Sequence, residues 1–315
     1  MTLTQTTIDE RAYTALASGA AVMDRPGFGI LQLTDADRVD FVHRMTTNNI
    51  AVLKPGQSAV TVLTSPVARM LFVFTVLQRE DDLWLLPAGN DGAQLARHLR
   101  GQIFFMDKVK VADLSQSHRR LRLMGPAAAE LLAQANLPTP DAETFAEADN
   151  VIVLNQQALG VPGYEIIAPV EDAATLFARF EAGGAVTVDA DTYNVHRIEL
   201  GRPGAGAELV ESYNPLEAGL AWTCADNKGC YTGQEIIARQ ITYDKVTKTL
   251  VTVRSDELLA PGTALTADGR NVGEVTSAAY SPRDGAPIAL AVVKRPQNVA
   301  GTVLDANGQR VVVKE

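Results

Sequence analysis

The spacing of apolar residues along this chain changes several times, and each change marks an element. Phe28 to Leu33 reads as a strand, and Asp35 stands where it can cap a helix in which Val39, Val42 and Met45 share one face. Gln57 to Thr64 and Arg69 to Leu77 read as paired strands joined around Ser65-Pro66. Leu83 to Leu86 is a short strand, Asp91 to Arg100 a helix and Lys108 to Ala112 another strand, close to a β-α-β-β-α-β order. A second pass follows. It runs from strand Leu121 to Met124 through a helix with Pro126 in its first turn, strands Val151 to Leu154 and Tyr164 to Ala168, and a helix from Glu171 to Glu181. From Lys248 onward short β runs are punctuated by Asp268-Gly269 and Asn307-Gly308, dipeptides that favour the positive φ angles of tight hairpins. The expected fold is α+β, with two ferredoxin-like α/β units and a small C-terminal β-barrel. Boundaries are expected near 1–115, 116–245 and 246–315, with the first dozen residues as a loose arm.

The stretch from Lys228 to Arg239, Lys-Gly-Cys-Tyr-Thr-Gly-Gln-Glu-Ile-Ile-Ala-Arg, carries the densest chemistry. Thr232 followed by Glu235 is a capping-box pattern, so a helix is expected to start just after Thr232. Cys230 then lies two residues ahead of the cap. The partial positive charge of the helix N-terminus and the neighbouring Lys228 both favour a thiolate there, which predicts a thiol pKa below the reference value of ~8.5. A small buried cysteine packing a tight loop fits the same spacing.

The eight-residue run Lys228 to Glu235 resembles the signature of the YgfZ proteins, folate-binding relatives of the aminomethyltransferase (T-protein) of the glycine cleavage system. Asp37-Arg38-Val39-Asp40-Phe41 followed by Met45-Thr46-Thr47-Asn48-Asn49 resembles the N-terminal segment of that superfamily. Tyr193 to Pro203 resembles its helix with a pterin-binding glutamate, and Tyr213-Asn214-Pro215-Leu216-Glu217 its loop before the cysteine motif. The resemblance covers most of the chain and implies a three-domain fold with interleaved segments. It implies a site for tetrahydrofolate or another reduced folate, with Glu199 accepting from the pterin and Arg239 pairing with a carboxylate. Asn48 would contact the ligand, and Tyr193, Tyr231 and Lys228 would surround it. Cys230 would be a functional thiol linked to the maintenance of iron–sulfur proteins and, through such enzymes, to transfer RNA modification.

One stretch departs from the transferase pattern. Where aminomethyltransferases carry a Gly-Gly-Ile-x-Asp-Asp-like turn with the catalytic aspartate, this chain has Ser65-Pro66-Val67-Ala68-Arg69-Met70-Leu71-Phe72-Val73, and leucine and phenylalanine cannot orient or stabilise a reacting amine. The resemblance therefore implies a folate binder without the usual transfer chemistry. An aspartate elsewhere, such as Asp107 or Asp113, taking that role is the alternative.

A length of 315 residues with 46% hydrophobic composition and mean hydropathy near zero is enough to bury sizeable cores. A formal charge of −9 argues against broad binding to nucleic acid or anionic membranes. The one basic run, His118-Arg119-Arg120-Leu121-Arg122, reads as the polar face of a half-buried strand. Two cysteines and four scattered histidines are too few for a structural zinc or iron–sulfur site built by this chain alone. Cysteine usage and the lack of a basic, apolar N-terminal leader make a reducing cytoplasm the expected compartment.

Overall fold

The computed structural model of the chain describes residues 8–314. In its first half the elements run α1 (Glu10–Ser18), β1 (Ala21–Asp24), β2 (Leu31–Thr34), α2 (Arg38–Met45), β3 (Ser58–Thr64), β4 (Met70–Gln78), β5 (Leu83–Pro87), α3 (Gly92–Gly101), β6 (Lys110–Asp113), β7 (His118–Met124) and α4 (Ala128–Gln134). There follow β8 (Phe145–Ala148), β9 (Val151–Gln156), β10 (Gly163–Pro169), α5 (Val170–Ala182), β11 (Val186–Thr187), α6 (Ala190–Glu199) and α7 (Gln234–Thr242). The chain ends in β12 (Lys248–Ser255), β13 (Ala264–Ala267), β14 (Arg270–Ser281), β15 (Ala286–Lys294), β16 (Val303–Ala306) and β17 (Gln309–Val313).

Strands β3-β4-β5-β2-β6 form one sheet, β11-β1-β7-β10-β9-β8 a second, and β12-β15-β14-β13-β16-β17 a closed barrel. The fold is α+β with a six-stranded barrel at its C-terminal end, as the pattern of elements predicts. Strand β1 lies early in the chain but pairs with β7 and β11, so the second sheet is built from distant segments.

Side-chain alternation sets the layers. In the first sheet Leu31, Leu33, Phe74, Val76, Leu83 and Leu85 face α2 and α3, meeting Phe41, Leu95 and Leu99. In the second, Leu121, Leu123, Val153 and Ile166 face α4 and α5, meeting Leu132, Leu176 and Phe180. The opposite faces meet each other, since Leu77, Trp84 and Leu86 share a cluster with Ile152, Leu154 and Ile167. Helices thus lie outside and the two sheets pack face to face, so the interior strands are covered on both sides. Helix α6 joins this sandwich to the barrel through Val195 and Ile198 against Ala279, Ile288 and Leu290.

Local chemistry follows the sequence in some places and departs in others. Asp268-Gly269 and Asn307-Gly308 all have positive φ and connect β13 to β14 and β16 to β17, as such dipeptides should. Asp35 does not cap α2: it sits at φ 77°, and the helix begins three residues later. The expected loose arm lies partly outside the described residues. From Asp9 onward the chain is instead a capped helix, with the Asp9 carboxylate accepting from the N–H groups of Arg11 and Ala12. Among the described residues no helix is long and apolar enough to cross a membrane.

Candidate functional site

A cavity of about 360 Å³ lies between the sheets, α6 and the segment 203–209. Met23, Phe28, Leu86, Leu159 and Leu209 give it apolar walls, while Arg25, Arg120, Gln156, Tyr193 and Asn194 supply polar groups. The two arginines belong to a larger buried cluster centred on Glu165, which has no exposed surface. Arg120 Nε donates to Glu165 Oε1 at 2.6 Å, and Arg25 Nη1 and Arg122 Nη1 each reach Oε2 at 3.3 Å. Arg120 also donates to the main-chain oxygens of Gly29 and Pro87, and Arg122 to those of Gln156 and Val161. Gln156 Nε2 donates to Thr75 Oγ1 at 2.6 Å, so the cluster ties one sheet to the other.

These bonds correct the reading of Arg120 and Arg122 as a solvated strand face. Strand β7 is an interior strand, with β1 and β10 on either side, and the first sheet covers the face that carries the arginines. Burial alone would raise the Glu165 carboxyl. The guanidiniums of Arg120, Arg25 and Arg122 outweigh it and hold the group at about 2. Three guanidiniums share this one carboxylate, so the cluster keeps a surplus of two positive charges.

Aromatic groups flank those charges. The Phe28 ring centroid lies 4.8 Å from the Arg25 guanidinium and 5.3 Å from that of Arg120, and Tyr193 lies 5.3 Å from Arg25. Tyr193 projects from α6, whose start is fixed by Asp189 accepting from the Thr192 N–H. The Tyr193 hydroxyl oxygen accepts from Arg25 Nη2 at 3.1 Å and from the Val161 N–H at 3.2 Å. Burial would raise its phenol, but Arg25 and Arg122 pull it below the ordinary tyrosine value.

The cysteine motif occupies a different place. Lys228 Nζ donates to the main-chain oxygens of His43, Thr46 and Asn48, pinning the Thr-Thr-Asn turn to the motif, and it lies 5.1 Å from the Tyr231 ring centroid. Burial lowers the Lys228 ammonium to about 8, against a smaller opposing effect of Cys224. The Asn48 amide donates to Val60 O and its Oδ1 accepts from the Asn49 N–H, so its side chain is used in the turn itself. Tyr231 is buried with Ala68, Leu216 and Ile237, and Cys224 packs against that group. Burial pushes the Cys224 thiol up to about 11, and Cys230 is exposed; both are free.

The helix after the motif starts differently from the capping box expected at Thr232. Gly233 is the cap, at φ 84°, and no side chain bonds there. Thr64 Oγ1 donates to Thr232 O, and a Cβ on Gly233 would come within 2.7 Å of Ser65 O. The close approach of the 65–69 turn therefore dictates the glycine.

Lys228, Asn48 and Tyr231 are thus brought together, while the remaining candidates stand apart. Tyr193 lines the central cavity. Glu199 is clasped by Tyr13, Ser281 and His196 and faces a separate depression beside α1 and Arg283. Burial would raise its carboxyl, but the nearby His196, 3.6 Å away, the hydrogen bonds from Ser281 and Tyr13, and the charge of Arg283 lower it. Arg239 is exposed on α7 and pairs with Glu235 at 2.6 Å. In the turn that departs from the transferase pattern, Arg69 pairs with Glu217 at 3.0 Å. Asp107 is bound to Arg44, and Asp113 is exposed and accepts from Ser115, so neither enters the cavity. Arg25, Phe28, Arg120 and Glu165 were not singled out as site residues. The available signal was a glutamate and two arginines at alternating positions of strands otherwise apolar on both faces.

Residues 4–228 match the GCVT N-terminal domain, and residues 246–314 match the glycine cleavage T-protein C-terminal barrel domain. A protein of Arabidopsis thaliana described as a chloroplastic transferase is 28% identical over 294 residues, covering 91% of this chain and 68% of the relative. An aminomethyltransferase of Anoxybacillus flavithermus is 28% identical over 322 residues, covering 95% of this chain and 86% of the relative. The crystal structure of the glycine cleavage system aminomethyltransferase T of Bartonella henselae superposes with a TM-score of 0.89 at 21% identity, over 97% of this chain and 88% of that one.

Proposed function

Because the chain belongs to the glycine cleavage T-protein family, we propose that it binds tetrahydrofolate or another reduced folate in the central cavity. We further propose that it serves as an accessory protein to iron–sulfur enzymes and, through them, to transfer RNA modification, without aminomethyl transfer. The observation that favours binding without transfer is the turn from Ser65 to Arg69. Where a carboxylate would orient a reacting amine, the chain runs into Leu71 and Phe72, which can neither orient nor stabilise one, and the neighbouring Arg69 is already paired with Glu217. Cys230, exposed on the motif loop, is the thiol that would meet a protein partner.

Aminomethyl transfer from a lipoyl-bound donor to tetrahydrofolate is the second reading, and two observations favour it. Relatives named aminomethyltransferase match over nearly the whole chain. Asp91 also offers a carboxyl near Arg120 that burial raises, with Oδ1 unpartnered. A titration with tetrahydrofolate under anaerobic conditions tests the shared element, and saturable binding is expected. Turnover of aminomethylated lipoyl carrier protein with tetrahydrofolate separates the readings. None is expected from the accessory role, and turnover lost in Asp91→Asn would establish the transferase.

A further inference from the structure

We propose that Tyr193 is an acid–base residue of the central cavity, a phenolate that shares with Glu165 the balancing of three arginines and presents a proton acceptor to a ligand bearing an N–H group. The role goes beyond the folate reading, because it rests on the protein's own groups whatever the cavity binds. The first support is the donor and acceptor inventory. A phenol has one O–H donor and otherwise accepts. Both hydrogen bonds of Tyr193 are accepted ones, from Arg25 Nη2 at 3.1 Å and the Val161 N–H at 3.2 Å, and no bond among the described residues uses its O–H as donor. The backbone closes tightly on this oxygen. A Cβ on Gly160, which has φ 70°, would come within 2.5 Å of it, so glycine is what lets the loop reach the phenol.

The second support is charge. The segment after β1 brings Arg25 to the phenol and β7 brings Arg122; both favour the ionised form, while Glu165 on β10 opposes it more weakly. On α6 and its cap, Asp191 and Asp189 are exposed, and Arg197 is paired with Glu208 of the segment 203–209. Asp91, at the start of α3, lies near Arg120, and burial favours its neutral form. The side toward α1 is apolar, with Ala12, Ala15 and Leu16 in the same cluster. Three guanidiniums against Glu165 leave two positive charges, and a phenolate offsets one of them. The third support is place. Tyr193 lines the cavity and is only half-buried. The neutral acceptors beside it are already used, Gln156 Oε1 by Arg122 and Asn194 Oδ1 by Arg197. The lone pair that ionisation frees on Tyr193 is therefore the acceptor for a ligand N–H. In the proton step the N–H bond breaks, its electron pair stays on nitrogen, and the phenol O–H forms.

Titration of tyrosinate absorbance against pH in the full chain, in Tyr193→Phe and in Arg25→Met tests this. Burial raises Tyr13, Tyr164, Tyr213 and Tyr231, so these ionise late and leave the early range clear. One of the seven tyrosines is expected to ionise in a separate step ahead of the ordinary value of ~10. That step should be absent from Tyr193→Phe and move up by about one unit or more in Arg25→Met. No early step in the unaltered protein, or one that persists in Tyr193→Phe, would overturn the proposal. Should Tyr193→Phe fail to fold, the other two proteins decide, and an early step that stays in place without Arg25 overturns it. No ligand enters the titration, so its failure removes the acid–base role and leaves the folate reading to its own test.

Discussion

The central cavity and the cysteine motif make opposite use of charge. In the cavity, arginines from β7 and the segment after β1 converge on one buried glutamate from β10 and keep a surplus of positive charge against an open space. In the motif, the half-buried cation Lys228 is spent on three main-chain oxygens of a neighbouring turn, and Cys230 is exposed. The first arrangement leaves Arg25 Nε and Arg122 Nε without a hydrogen-bond partner. The second is satisfied as it stands: Lys228 ties the motif to the Thr-Thr-Asn turn, and Cys230 is exposed beside it. A contiguous run of unusual residues is therefore not the same thing as a ligand pocket.

The contrast can be tested by removing each side in turn. Glu165→Gln strips the counter-charge from three buried guanidiniums, and a loss of ~3–5 kcal/mol in urea unfolding is expected. The same variant isolates a pH effect. The folded-state pKa of about 2 lies below the ordinary carboxylate value, so Glu165 contributes stability that is full above ~4.3 and is lost as pH falls toward about 2. That acid-dependent component should vanish in Glu165→Gln, and its persistence would mean that other carboxylates produce it.

On the motif side, Gly233→Ala forces a Cβ into a left-handed residue and against Ser65 O, at a cost of ~1–3 kcal/mol. Its ligand affinity should stay within about twofold of the unaltered protein, because Gly233 does not line the cavity. Lys228→Met should cost ~1–2 kcal/mol through the three freed carbonyls, again without a change at the cavity. The smallest perturbation is chemical. Iodoacetamide at neutral pH should label Cys230 and spare Cys224, whose thiol is raised to about 11 and half-buried, as peptide mapping can show.

Periodicity made most strands, the outer helices and the barrel hairpins legible, because each depends on neighbours in sequence. Asp268-Gly269 and Asn307-Gly308 are clear instances. Arg120 and Arg122 were misread for a physical reason. Alternation shows that a strand has two kinds of face, but not whether a second sheet covers the polar one. Partners such as Arg25, 140 positions from Glu165, meet only in the folded chain. Resemblance gathered Glu199, Arg239, Asn48, Tyr193, Tyr231 and Lys228 around one ligand. In the fold Glu199 closes a contact between α1, α6 and β14, and Arg239 stands on the surface. Short motifs conveyed residue types and local turns, whereas the distances between them were set by how the sheets pack.

The decisive measurement is an anaerobic calorimetric titration with tetrahydrofolate on untreated protein, on protein alkylated at Cys230, and on Arg25→Met. Saturable binding that survives alkylation and weakens at least about tenfold in the arginine variant is the predicted result. Binding that disappears on alkylation while persisting in Arg25→Met would place the ligand at the cysteine motif and contradict the assignment of the cavity.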